Sequence, residues 1–268
     1  MHEFVSFHCG IIASGGTSVS ALSSATLYGK GIFTTIAIHD SEAFLWEKHR
    51  RRLVTGAERL KIDLAEFSEN SAKEALAEII QKNNCINGRA RITFFDESSS
   101  NIWPFETKRK TGLLITTAEP RPVPGHFRLT VSPYSVNSLS PLAGVKSCNY
   151  LDKLLTLDEA KSRGFDEAIR VNERGEITSA SMANVFWLRD GVFYTPSLET
   201  GCLAGTTREF VLENLECRET KGSIDELNEA DAIFLTSAGL GVAQVAELES
   251  RQLKPIDHPI LNLLPKRF

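Results

Sequence analysis

Apolar positions recur along this chain in short bursts, some at strand spacing and some at helix spacing, with no single long run. Ahead of residue 118, Ile32–Ile38 and Ala43–Leu45 read as short strands, and Arg91–Phe95 and Leu113–Thr116 as β-rich runs. Lys48–Arg59 and Ser71–Asn83 read as helices, the second carrying Ala75, Ile79 and Ile80 at helical spacing. Further on, Arg128–Tyr134, Ala168–Val171, Val185–Leu188, Val192–Tyr194 and Ala232–Thr236 read as strands, and Asn149–Arg163 and Thr206–Leu215 as helices. The first of those helices has Leu151, Leu154 and Leu155 on one face and Gly164 as its stop. Arg189–Asp190–Gly191 carries an Asp-Gly hairpin signal between two strands.

Between the two sets of elements lies Ala118–Glu119–Pro120–Arg121–Pro122–Val123–Pro124–Gly125, too stiff and too poor in amide donors for a helix or a central strand. It divides the chain into an expected smaller N-terminal α/β domain (1–117), a linker (118–125) and a larger C-terminal α/β domain (126–268). Short mixed strands with interspersed helices predict an α+β (mixed α/β) fold.

Composition narrows the function classes. A hydrophobic share of 42% and a charged share of 24% fit a folded globular chain and not a disordered one. The net charge of −4 argues against nucleic acid, which needs a concentrated basic surface. The densest cationic run, Lys48–His49–Arg50–Arg51–Arg52, reads as a solvated helix face. The cysteines, Cys9, Cys85, Cys148, Cys202 and Cys217, form no C-x-x-C pair, so neither a disulfide framework nor a zinc site is expected. The histidines have no metal-ligand spacing, and no metal is expected. The opening residues lack a secretory pattern and no apolar run reaches membrane-spanning length, so a cytoplasmic protein without a membrane partner is the expectation.

Two local features carry chemistry. Gly205–Thr206–Thr207 opens a helix, and first-turn amides flanked by threonine hydroxyls suit a phosphate dianion; taken alone, the same residues read first as an ordinary capped helix start. Lys146 sits in the mostly uncharged Pro141–Asn149 segment, where burial would favour a nucleophilic amine. Alone it reads as a loop lysine, and Lys153, one helix later, as a surface charge.

In order, the segments resemble the fold type IV pyridoxal-phosphate enzymes, the group of branched-chain and D-amino acid aminotransferases and 4-amino-4-deoxychorismate lyase. Tyr28–Phe33 is similar to Y-G-x-G-x-F, His49–Leu53 to H-x-x-R-L, and Lys146–Leu151 to K-S-x-N-Y-L. The fourth segment, from Ile177 to Arg208, contains Ala183–Trp187, Tyr194–Pro196 and Leu203–Arg208. The resemblance implies two domains of the D-amino acid aminotransferase-like fold with pyridoxal 5'-phosphate between them, a homodimer, and a small-molecule amine as substrate. Residue by residue, it makes Lys146 the Schiff-base lysine and proton shuttle. Arg52, Thr206, Thr207 and Ser237 would hold the phosphate, and Tyr150 the phenolic oxygen. Tyr28 and Arg91 would line the substrate pocket, Arg91 facing a carboxylate.

The family normally has a glutamate five residues before Asn184, which keeps the pyridine nitrogen protonated; this chain has Ser179 there. Lys30 and Thr34 also depart from the pattern, without touching the cofactor by analogy. A serine weakens the electron sink, and this favours a lyase that eliminates pyruvate to leave 4-aminobenzoate, a folate precursor. An aminotransferase acting on branched-chain or D-amino acids is the alternative, and a non-catalytic binding protein on the same fold the third reading.

Overall fold

The alternating runs of the first part of the chain close into one antiparallel sheet. Its strands are β1 (Phe4–Phe7), β2 (Gly10–Ala13), β3 (Gly31–His39), β4 (Glu42–Ala43), β5 (Gly88–Asp96) and β6 (Thr111–Ala118), in the order β2-β1-β6-β5-β3-β4. The computed structural model describes residues 1–98 and 110–265, so the parts of the two expected domains at 99–109 and 266–268 lie outside it. Three helices accompany this sheet: α1 (Ser24–Tyr28), α2 (Trp46–Leu60) and α3 (Glu69–Lys82). Ile32, Ile36 and Ile38 alternate onto one face of β3 and pack with Ile92, Phe94 and Ile115 of the sheet and Leu53, Leu76 and Ile79 of the helices. The Ser68 hydroxyl accepts from the Ser71 amide at 3.1 Å and starts α3.

The prediction for α2 differs in two ways. The helix begins at Trp46, so the strand expected at Ala43–Leu45 shrinks to Glu42–Ala43. Its basic run is also not a solvated face: Arg51 is exposed, but His49 is buried and Arg52 half-buried.

The second sheet has strands β7 (Phe127–Val131), β8 (Glu167–Val171), β9 (Ile177–Ala180), β10 (Asn184–Arg189), β11 (Val192–Pro196), β12 (Arg218–Thr220), β13 (Ala232–Ser237), β14 (Gly241–Leu248) and β15 (Arg251–Gln252). Their order is β12-β11-β10-β13-β14-β7-β8-β9, with β15 on β14. Helices α4 (Leu151–Ser162), α5 (Thr206–Asn214) and α6 (Ile224–Asn228) belong to the same unit. Val185, Phe186 and Trp187 are consecutive and all fully buried. Val185 and Trp187 join the core around Ile233 and Leu235, whereas Phe186 joins Phe193, Phe234 and Val211 on the other face. The β10–β11 turn has positive φ at both Asp190 (51°) and Gly191 (75°), the two-residue geometry the Asp-Gly signal predicts.

Two other predicted elements are shorter than read. β7 stops at Val131, because the Ser132 hydroxyl takes the Tyr134 amide at 3.0 Å in a turn. α4 starts at Leu151 and buries Thr156, Leu157 and Ala160, leaving Leu151, Leu154 and Leu155 exposed at 65%, 45% and 53%. The leucine face seen in the sequence is thus the outer one.

The described chain divides into two compact units, Met1–Arg121 with Val145–Asn149, and Pro122–Gly144 with the described residues from Tyr150 onward. No helix among the described residues is long and apolar enough to cross a membrane.

Candidate active site

Lys146 is carried by a segment that joins the first sheet. The Phe33 amide donates to the Lys146 carbonyl at 2.9 Å and the Cys148 amide to the Gly31 carbonyl at 2.8 Å, with Ile32 and Ser147 as the bridging pair. The segment thereby satisfies the start of β3 on the edge that β4 leaves open further along. The Asn149 side-chain amide donates to the Gly29 carbonyl at 3.1 Å. Gly29 has φ +63°, and a Cβ there would stand 2.7 Å from the Asn149 oxygen, so glycine is required twice over. These contacts explain why the Tyr28–Phe33 and Lys146–Leu151 motifs occur together: each completes the backbone of the other.

On this surface Lys146 Nζ stands 4.6 Å from the Phe33 ring centre, and the Arg91 guanidinium 3.7 Å from the same centre. Arg91 Nε also donates to the Thr93 hydroxyl at 3.2 Å. Burial pushes the Cys148 thiol up, with Arg91 opposing.

The next residue on β3 faces the helices and organises Arg52. Arg52 Nη2 donates to the Thr34 hydroxyl at 2.5 Å, and that hydroxyl lies 2.6 Å from His49 Nδ1. His49 is 1% exposed; burial lowers its pKa well below the ordinary value, and the charges of Arg52 and Lys146 lower it further, so the imidazole is neutral at neutral pH. With the hydroxyl accepting from the arginine, its one proton is available to Nδ1. Sequence reasoning passed over this network: Thr34 registered only as a departure from a motif.

In the second unit, α5 begins at Gly205, an N-cap with no side chain to occupy the first-turn amides. A Cβ on Gly205 would overlap the Asn184 side-chain oxygen. Asn184, at the start of β10, donates through Nδ2 to the Leu203 carbonyl at 2.9 Å and so fixes the approach to the helix. Thr206 and Thr207 are buried at the first turn. Arg208 anchors that turn, donating through Nη2 to the Pro196 carbonyl at 2.8 Å and to Glu219 at 2.7 Å. A helix start with no side-chain cap, two threonines and a glycine that admits no side chain has the donor set a phosphate ester needs, so these residues fit pyridoxal phosphate.

The other candidates are distributed as follows. Tyr28 ends α1 and is 44% exposed. Tyr150 is half-buried just ahead of α4, with Lys153 Nζ 5.2 Å from its ring centre. Ser179 is half-buried on β9, and Ser237 closes a turn, its hydroxyl accepting from the Leu240 amide at 3.2 Å. Lys153 is not the surface charge that its helix position implied. It is three-quarters shielded, its pKa lowered by burial, with Asp152 partly offsetting this. No His/Cys/Asp/Glu group suited to a metal occurs among the described residues.

Comparison with known proteins identifies the family. The profile of the class IV amino-transferases matches residues 31–248. The aminodeoxychorismate lyase of Bacillus subtilis is 27% identical, over 83% of this chain and 79% of that protein. The branched-chain-amino-acid aminotransferase of Escherichia coli K12 is 24% identical, over 94% of this chain and 86% of that protein. The fold matches that of the branched-chain aminotransferase from Thermoproteus uzoniensis with norvaline, with a TM-score of 0.90 and 23% identity, over 98% of this chain and 92% of the other. The chain therefore belongs to the class IV amino-transferases, a family of pyridoxal-phosphate-dependent enzymes.

Proposed function

We propose that the protein is a lyase of the aminodeoxychorismate type, which removes pyruvate from its amine substrate and leaves 4-aminobenzoate for folate biosynthesis. The observation that carries this reading is Ser179 on β9, where the family's glutamate would stand. Bound pyridoxal phosphate draws electron density from the amine-bearing carbon. With a neutral hydroxyl at the ring nitrogen that pull is weaker, and a reaction whose product gains an aromatic ring asks the least of it.

In this reading Lys146 holds the cofactor through Nζ. The same Nζ would move the proton of the amine-bearing carbon. The ether bond to the enolpyruvyl group breaks, the six-membered ring becomes aromatic, and the leaving group takes up a proton to become pyruvate. A guanidinium fork and helix amides both match phosphate oxygens, so Arg52, held by Thr34, and Thr206, Thr207 and Ser237 are the residues that would hold that group. Tyr150 donates to the phenolic oxygen. Arg91 receives a substrate carboxylate, and Tyr28 lines the pocket wall. The enzyme works in the cytoplasm as a homodimer; the exposed leucines of α4 are the kind of apolar face that a second subunit covers.

The test is to supply the purified protein with pyridoxal phosphate and aminodeoxychorismate and to measure pyruvate. Steady release, abolished by Lys146→Ala, is expected. Formation of 2-oxo acids from branched-chain or D-amino acids without pyruvate release would replace this reading with the aminotransferase. Similarity supports both readings, with 27% identity to the Bacillus subtilis lyase and 24% to the Escherichia coli aminotransferase.

A further inference from the structure

The pairing of β8 with β9 sets Arg170 directly opposite Ser179. Opposed residues of an antiparallel pair project from the same face, with Cβ atoms about 4.5–5.5 Å apart. The register shifts immediately after Arg170, an irregularity that commonly re-aims a side chain beside a site. The Arg170 side chain is 4% exposed. Its Nη2 meets Asp152 Oδ2 at 2.9 Å, while its Nε is buried with no hydrogen-bond partner among the described residues. Asp152 is shared: Lys153 Nζ lies 3.6 Å from its other oxygen. Burial alone would raise the Asp152 pKa, yet Lys153 and Arg170 hold it below its ordinary value. One carboxylate thus serves two cations, and the cluster keeps a net positive charge. A guanidinium is a fixed positive charge.

We infer that Arg170 sets the charge beside the cofactor's ring nitrogen and, with Ser179, holds that nitrogen unprotonated. This rests on the reading above, in which Ser179 stands at the ring nitrogen. A hydroxyl can accept from a guanidinium and donate to a neutral pyridine; it has no such bond to give to a pyridinium that already carries its own proton. A fixed cation nearby also makes a second positive charge costly. The consequence is a choice of substrate class. A neutral ring is a poor store for carbanion charge, so the site is built for amines whose deprotonation is drawn forward by a departing group and an aromatic product. It is poorly built for reversible amino-group exchange between ordinary amino and 2-oxo acids.

The experiment is the nitrogen-15 resonance of the holoenzyme reconstituted with pyridoxal phosphate labelled at the ring nitrogen, recorded at neutral pH. The wild type and Arg170→Lys are expected at the unprotonated-pyridine position. The double variant Arg170→Leu with Ser179→Glu is expected at the protonated position. A protonated ring nitrogen in the wild type overturns the inference, and this measurement needs no variant to fold. An unprotonated nitrogen in the double variant overturns it too, because the charge would then be set elsewhere. Borohydride labelling separates the two levels. Labelled Lys146 with a protonated nitrogen removes this inference alone, whereas no label on Lys146 removes the functional reading and the inference with it.

Discussion

Replacing Gly205 by alanine tests the helix start of the second unit on a single methyl group. A Cβ there overlaps the Asn184 side-chain oxygen and comes within 3.1 Å of its Cγ and 3.4 Å of the Arg208 Cβ. Neither neighbour can yield cheaply. Asn184 is buried and holds the Leu203 carbonyl, and Arg208 is buried and tied to Pro196 and Glu219. Overpacking of a tight site costs about 1–3 kcal/mol. If Asn184 swings away, the bond to Leu203 goes with it, at about 0.5–1.5 kcal/mol. Together these give about 2–4 kcal/mol, or roughly 5–15 °C in the apparent melting temperature of a chain this size. Calorimetry of the variant reads that shift. Equilibrium titration with pyridoxal phosphate should show binding weakened about tenfold or more, since about 1.4 kcal/mol lost at the phosphate is one decade. The mechanism is checked by adding Asn184→Ala, which removes the obstructing atoms. The double variant should be no less stable than Asn184→Ala alone, a coupling of about 1–3 kcal/mol. A Gly205→Ala protein within about 0.5 kcal/mol of wild type, or costs that simply add, would refute the steric argument.

Three further outcomes are expected. Thr34→Val removes the hydroxyl that joins Arg52 to His49, at about 2–4 kcal/mol by denaturant unfolding, whereas Thr34→Ser should stay close to wild type. His49 has a folded pKa well below its ordinary 6.5, so on acidification the unfolded chain takes up the proton first; stability should fall below about pH 6.5 by up to about 1.4 kcal/mol per pH unit, and His49→Gln should flatten that limb in unfolding curves at different pH. Gly29→Ala should cost at least about 1–2 kcal/mol for the left-handed backbone alone, with Asn149→Ala in the same chain relieving only the contact part, as thermal unfolding would read.

Much of the fold was legible because its signals are local. The apolar run Val185–Trp187, the Asp-Gly turn and the β-branched stretch Ile32–Ile38 each dictate their own conformation. Strands such as Gly10–Ala13 and Arg218–Thr220 went unread, because exposed residues dominate them and only their neighbours make them strands. In the candidate site, Lys146, Arg52 and Gly205–Thr207 could be singled out from motif order. Arg170 and Lys153 could not, nor could the burial of His49. Their chemistry depends on strand register and burial, and a buried arginine and an exposed one are the same letter. The leucines of α4 show the converse: spacing identified a face and could not say which way it looks.

Residues 145–149 belong with the first unit, although the chain on both sides of them belongs to the second. Among the described residues the polypeptide therefore passes from one unit to the other three times, and no single cut yields two independent halves. A fragment ending at Arg121 would lack its own lysine and the short bridge that covers the start of β3, exposing a bare strand edge prone to pairing with other chains. Insertions between Pro122 and Gly144 would enter that splice just ahead of Lys146.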